Sequence, residues 1–175
     1  MRPGLYHPSE FRDNCGFGLV AHIEGQASHD LLQTAINSLT CMTHRGGIAA
    51  DGMTGDGCGL LMQKPDAFLR AVANEQFGVE LSENYGVGMV FFSREEAKAE
   101  YARNILNQEI IQQGLEVVGW RNVPYDDKYC GSMARECMPA IEQIFVNAGN
   151  TDKEQLAVKL FVARRKAENQ LAEDE

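Results

Sequence analysis

The sequence predicts a chain of mixed α and β structure, in which short apolar strands interrupted by glycine alternate with amphipathic helices. Size and pattern lead there. With 175 residues, 44% of them hydrophobic, the chain is long enough for one domain with a real core. The runs "GFGLVAHI", "NYGVGMVFFS" and "LEVVGWRNV" read as strands, and the stretches between them hold apolar residues at helical spacing. Glycines inside the strands do not announce a simple parallel order, so the pattern leaves the topology open.

Residues 1–14, "MRPGLYHPSEFRDN", carry two prolines, a glycine and mixed charges without periodicity, and read as an irregular leader. Residues 16–23 follow as a buried strand that another backbone or a ligand approaches closely. Ser28 offers an N-cap, and Leu31, Leu32, Ala35, Ile36, Leu39 and Met42 form one face of a helix to about Thr43, expected to pack on a sheet. "HRGGIAADGMTGDGCG", residues 44–59, is a long glycine-rich loop of the kind that usually carries function. Residues 58–63 read as a strand, and Pro65 sits at the first turn of a helix over about 66–76. Residues 84–93 form the next strand. A polar-faced helix over 94–113 turns Ala97, Tyr101, Ile105 and Leu106 inward and stops at Gly114. Strands at 115–123 and 141–147 flank a turn at 124–129, and Thr151 with Glu154 forms a T-x-x-E capping box for the last helix. Its end, "NQLAEDE", puts three acids where the helix dipole disfavours them, as expected either of a chain cut inside an element or of a frayed, solvated tail.

The formal net charge of −9 argues against a nucleic-acid groove, which needs a basic face; small molecules and proteins are the expected partners. No apolar run approaches the roughly 20 residues of a membrane span, and the first residues lack the apolar core of a secretory signal, so a cytoplasmic location is expected. Five cysteines at irregular positions, Cys15, Cys41, Cys58, Cys130 and Cys137, do not form a disulfide framework and suit a reducing compartment.

Cys15 is the most suggestive chemical group. A thiol with a pKa of about 8.5 is mostly protonated at neutral pH and needs a base. No histidine, aspartate or lysine stands at a local dyad spacing, although His22, His29 or His44 could approach in space. Cleavage before the cysteine offers another base: the freed α-amino group, with a pKa of about 7.7–8.0, lies on the same residue. A small hydrophobe in a buried strand is the plainer reading of the same position. In the long loop, Gly52 and Gly57 have P-loop spacing, but Cys58 and Gly59 stand where lysine and serine or threonine are required. Asp51 and Asp56 lack the alternating oxygens and distal glutamate of a calcium loop, and Cys41 with His44 is too few ligands for structural zinc. Arg45, flanked by glycines after a helix, suits a carboxylate ligand or is an ordinary surface arginine.

Three motifs then come together: a C-G-x-G start at Cys15, the H-R-G triplet at His44, and A-D-G-x-T-G-D-G-C-G from Ala50. Together over residues 15–70 they closely resemble the class II glutamine amidotransferase region of the glutamate synthase large (alpha) subunit family, with weaker similarity through "YGVGMVFF", "VVGWRNVP", "IEQIFVN" and "LFVARRKAE". The resemblance implies an α+β fold: part of an N-terminal-nucleophile (Ntn) hydrolase αββα sandwich with antiparallel sheets. It implies a leader at 1–14, an incomplete amidotransferase domain at 15–175, and cleavage after Asn14 that makes Cys15 the first residue and the nucleophile for glutamine. Arg45 and Gly46 match the element that lines the glutamine pocket.

The whole enzymes of that family send ammonia through a tunnel to a barrel with FMN and a 3Fe-4S cluster, where 2-oxoglutarate becomes glutamate. In bacteria NADPH supplies the electrons through a small (beta) subunit. No cofactor or metal is expected in this chain; the remainder of the large subunit and the small subunit are its implied partners, and neither nucleic acid nor membrane is. The family also uses a downstream arginine, an Asn-Gly oxyanion pair and an acidic residue for the amino group. This sequence has no Asn-Gly dipeptide, and losing an oxyanion donor costs about 100- to 1000-fold in rate, so the chain alone is expected to be an incompetent glutaminase. The alternative is a non-catalytic half-domain that binds glutamine or a partner.

Overall fold

The structure, a computed structural model, describes residues 16–42, 47–55 and 57–173. The chain falls into two compact units that meet in sequence at Leu61 and Met62.

In the second unit three strands form one antiparallel sheet of order β1-β3-β2: β1 is Tyr85–Phe92, β2 Glu116–Asn122 and β3 Ala140–Asn147. All three were expected from the sequence, and the mixed α and β class with antiparallel pairing holds. The centre goes to β3, the most buried of the three strands, in which Ile144, Phe145 and Val146 are buried. Because strand side chains alternate, Ile144 and Val146 face one way and Phe145 the other. Helices α3 (Glu96–Gln112) and α5 (Lys153–Glu173) cover the first face, burying Ile110, Leu115, Leu156 and Ala163 with Ile144 and Val146. Helix α2 (Asp66–Phe77) covers the second, packing Leu69, Val72 and Ala73 with Phe145 and Tyr85. A register shift between Val117 and Gly119 brings Gly119 opposite Phe145. A Cβ on Gly119 would stand 2.5 Å from the Phe77 ring, so only glycine admits the edge-on contact of Phe77 with Phe145 at 5.6 Å between centroids.

Polar side chains fix the layers in register. Arg103 of α3 makes a two-pronged pair with Glu142 of β3, and Trp120 Nε1 donates to Asn107 Oδ1 at 2.9 Å. Arg70 of α2 donates to the carbonyls of Leu81 (2.6 Å) and Ser82 (3.1 Å) and to Asp66 Oδ2 (2.9 Å). Tyr85 Oη donates to Asp66 Oδ1 at 2.8 Å, closing α2 onto the start of β1. This bond and Arg70 hold the Asp66 carboxyl below its ordinary range. Buried Glu109 of α3 accepts from Gln170 Nε2 of α5 at 3.0 Å and faces Lys166 Nζ at 3.9 Å.

Some expected details shift. Helix α3 buries Ala99, Ile105, Glu109 and Ile110, while Ala97 and Tyr101 point outward. Glu109 enters the core because α5 supplies its partners. Asp152 caps α5, its Oδ1 accepting from Gln155 N at 2.8 Å, one residue after the expected Thr151. Pro65 is itself the N-cap of α2. Helix α4 (Ser132–Glu136) was not foreseen, and the turn before it holds a 3-10 segment, Asp127–Tyr129. Among the described residues no helix is long and apolar enough to cross a membrane.

In the first unit, helix α1 (His29–Cys41) forms as expected, with Ser28 Oγ accepting from Leu31 N at 3.2 Å. Its apolar stripe is only partly covered: Leu31, Leu32, Ala35 and Leu39 are half-buried and Ile36 is exposed. The two strands expected at 16–23 and 58–63 are absent, with Phe17, Leu19, Ile23 and Leu61 exposed. A strand has no internal hydrogen bonds, and among the described residues neither segment has a neighbouring strand to pair with. Among the described residues the one sheet is this three-stranded sheet with helices on both faces, and the expected pair of stacked sheets is not seen.

Replacing Phe145 by alanine is expected to lower the unfolding free energy by about 3–5 kcal/mol, read as a lower urea midpoint at unchanged slope. Burial, with the bond to Asp66, pushes the Tyr85 phenol up to about 12. An unfolded tyrosine ionises near about 10, so the stabilisation from the protonated phenol is whole below about pH 10 and is lost as pH rises through about 12. The phenolate absorbance lost in Tyr85→Phe should therefore titrate near 12; a midpoint near about 10 would mean the ring is wet.

Candidate functional site

The three residues with expected roles, Cys15, Arg45 and Gly46, lie outside the described residues, as do His44, Asp56 and the expected cleavage point after Asn14. What the structure shows is the chain that carries them. After Cys15 the segment from Gly16 runs exposed and without regular secondary structure to a tight turn, where Gly25 takes a φ of 68° and its N–H donates to His22 O at 3.0 Å. His22 Nδ1 accepts from Glu24 N and Gln26 N at 3.3 and 3.4 Å. His29 Nε2 lies 3.4 Å from Gln33 Nε2 along α1. Two of the three histidines that might have served as base thus have local partners.

Helix α1 ends at Cys41, with the Met42 N–H donating to Leu39 O at 3.0 Å, and so delivers the chain to the H-R-G triplet. Beyond the triplet the loop is ordered in a way the sequence pattern did not announce. Ile48 and Gly55 form an antiparallel bridge, and Ala49 N donates to Thr54 O at 2.7 Å. Gly52 N donates to Ala49 O at 3.0 Å, closing a turn whose last residue has a φ of 71°, the left-handed region that favours glycine. Asp51 organises this hairpin. Its Oδ1 accepts from Met53 N (3.0 Å) and Thr54 N (2.7 Å), and its Oδ2 from Thr54 Oγ1. The sequence offered Asp51 only as a rejected calcium oxygen; the Asp-Gly pair at 51–52, a turn signal, was the clue to its part here.

Cys41, Cys58, Cys130 and Cys137 are free thiols, and among the described residues no three His, Cys, Asp or Glu side chains gather as a metal site. A shallow cleft of about 220 Å³ between β1, α3 and α5 is lined by Gly86, Gly88, Leu106, Ile110, Leu160 and Arg164. It offers one charged group, with no nucleophile and no acid–base pair.

Comparison with known proteins supplies the context for these pieces. A family model described as glutamine amidotransferases class-II matches residues 15–175. The glutamate synthase [NADPH] large chain of Bacillus subtilis (strain 168) is 41% identical over 168 residues, 95% of this chain and 11% of that protein. The chloroplastic ferredoxin-dependent glutamate synthase of Oryza sativa subsp. japonica is 38% identical over 156 residues, covering 88% of this chain and 10% of its own length. Ferredoxin-dependent glutamate synthase 2 of Synechocystis sp. is 36% identical over 167 residues, 94% of this chain and 11% of that protein. The chain thus spans about a tenth of the length of these relatives. A match that opens on Cys15 and runs through every described element makes this chain a member of the class-II glutamine amidotransferases.

Proposed function

We propose that this chain is the nucleophile-bearing part of a glutaminase domain that supplies ammonia to a glutamate synthase. The observation that carries the reading is the starting point of the family match, which is Cys15 itself. In this reading residues 1–14 are removed, and the α-amino group of Cys15 takes the thiol proton. The thiolate adds to the side-chain amide carbon of glutamine, the amide nitrogen leaves with that proton as ammonia, and water hydrolyses the thioester to glutamate. Arg45 and Gly46 line the glutamine pocket, the guanidinium suiting the substrate carboxylate by its paired donors.

The ammonia goes on to 2-oxoglutarate in the remainder of the large subunit, with FMN, a 3Fe-4S cluster and, through the small subunit, NADPH. Both prosthetic groups belong to that remainder. Among the described residues, Cys41, Cys58, Cys130 and Cys137 do not come together as the three cysteine ligands such a cluster needs. With no Asn-Gly pair to stabilise the oxyanion, this chain by itself should turn over glutamine at least about 100-fold more slowly than a complete domain.

Intact mass spectrometry after treatment with the glutamine analogue 6-diazo-5-oxo-L-norleucine tests the reading. The expected product begins at Cys15 and carries one adduct, which Cys15→Ser abolishes. A retained leader without adduct would overturn both the processing and the nucleophile, and fast glutamine turnover would refute the incompetence of the isolated chain.

A further inference from the structure

We propose that the cleft between β1, α3 and α5 is a binding site for a small aliphatic monocarboxylate, its hydrocarbon chain lying over Gly88 and its carboxylate meeting Arg164. The site shares no residue with those assigned to glutamine and does not rest on that reading.

The cleft has its origin in β1. Strand side chains alternate, so Gly86 and Gly88 face α3 and α5 beside Val146 and Ile144, their partners across the pairing with β3. Two glycines lower that side of the sheet by two side chains, and the helices fill only one of the gaps. Over Gly86, Leu160 comes down so far that a Cβ would stand 2.7 Å from its Cδ1. Over Gly88 a Cβ would meet Ile144 Cγ2 at 3.2 Å and, among the described residues beyond its chain neighbours, nothing else within 4 Å. The cleft measures about 220 Å³ and is bordered by Leu106, Ile110, Ile144 and Leu160. Close-packed proteins seldom leave so large a gap beside a core. Water in it would find few polar partners, whereas a water held inside a protein makes about three hydrogen bonds. Hydrocarbon is the favoured occupant. An apolar cavity of about 150 Å³ holds benzene, so this one suits a chain of about six to eight carbons.

The one charged side chain of the lining sets the other end of the ligand. Arg164 is 61% exposed, which puts its guanidinium at the mouth of the cleft. Its Nε lies 3.5 Å from Glu168 Oε1, a loose hold, while the other oxygen of Glu168 accepts from Arg165. Two guanidinium groups thus share one carboxylate, and positive charge is left over. The paired donors of a guanidinium match a carboxylate. With no nucleophile and no acid–base pair in the lining, the ligand is held and not converted. A bound chain touches β1, α3 and α5 together and stabilises the packing of that layer on the sheet.

Calorimetric titration of the 175-residue chain with octanoate, butyrate and octan-1-ol tests the assignment, and methyl NMR spectra locate the ligand. Octanoate should bind at one site and shift the methyl signals of Ile110, Ile144 and Leu160, whereas butyrate, too short to fill the space, should bind at least about 10-fold more weakly. Arg164→Gln should weaken octanoate about 5-fold and leave octan-1-ol unchanged. Leu106→Trp, which fills the space, should abolish binding of both; if it does not fold, the NMR shifts and Arg164→Gln still decide. Absence of saturable octanoate binding overturns the site. Shifts centred on the exposed Val158 methyls overturn its place. Equal octanoate affinity in the wild type and Arg164→Gln overturns the carboxylate contact, as does a parallel fall in octan-1-ol binding.

Discussion

A strand hydrogen-bonded along both edges has only its faces left to pack, and in β3 each face is apolar toward a different helical layer. Ile144 and Val146 meet α3 and α5, and Phe145 meets α2. Alternation over three consecutive residues thus joins what would otherwise be separate small clusters. The polar contacts follow the same strand: Glu142 receives Arg103 from one layer, while Gln143 receives Arg121 from the edge strand β2 at 2.8 Å. Asn147 ends the strand by accepting Ser82 N at 2.9 Å, which brings the approach to β1 against the end of β3.

The elements that the sequence made legible are those whose cause is local. Ser28 caps its own helix, Gly114 stops α3 with a φ of 71°, and the three apolar runs of the second unit are long enough to read as strands. The misreadings have distant causes. Residues 16–23 are as apolar as β1, yet pairing depends on a neighbour, and a period along one segment does not report whether a neighbour exists. On α3, Ile105 and Leu106 pack inward as expected, but Ala97 and Tyr101 do not, and buried Glu109 finds Gln170 and Lys166 on another helix, something no hydrophobic count on α3 reveals. The cap of α5 moved from Thr151 to Asp152 through a choice between adjacent residues that both favour caps.

For the site, chemistry read from single residues left Cys15 between a nucleophile and a core thiol, and Arg45 between a carboxylate ligand and a surface charge. The roles expected of them come from the resemblance that the combined motifs carry, and the family match supplies the membership. The loop that follows Arg45 was legible as a loop but not as a hairpin, because glycine content reports freedom of the backbone and is silent on which bonds use that freedom. The Asp-Gly turn at 51–52 required the contacts with Met53 and Thr54 to acquire a meaning.

The strand order also governs time. The strand that joins the sheet is the last of the three to be synthesised, and β1 and β2 both flank it without touching each other in the sheet. On a ribosome the two outer strands emerge first, apolar and unpaired, with α3 as the only regular element between them. Sheet formation waits until the chain has passed Asn147, and its pairings then close loops of dozens of residues, a slow topology in which nascent edges stay open to other chains. The order that makes β3 the keystone of the finished unit therefore makes its birth the most exposed moment of folding.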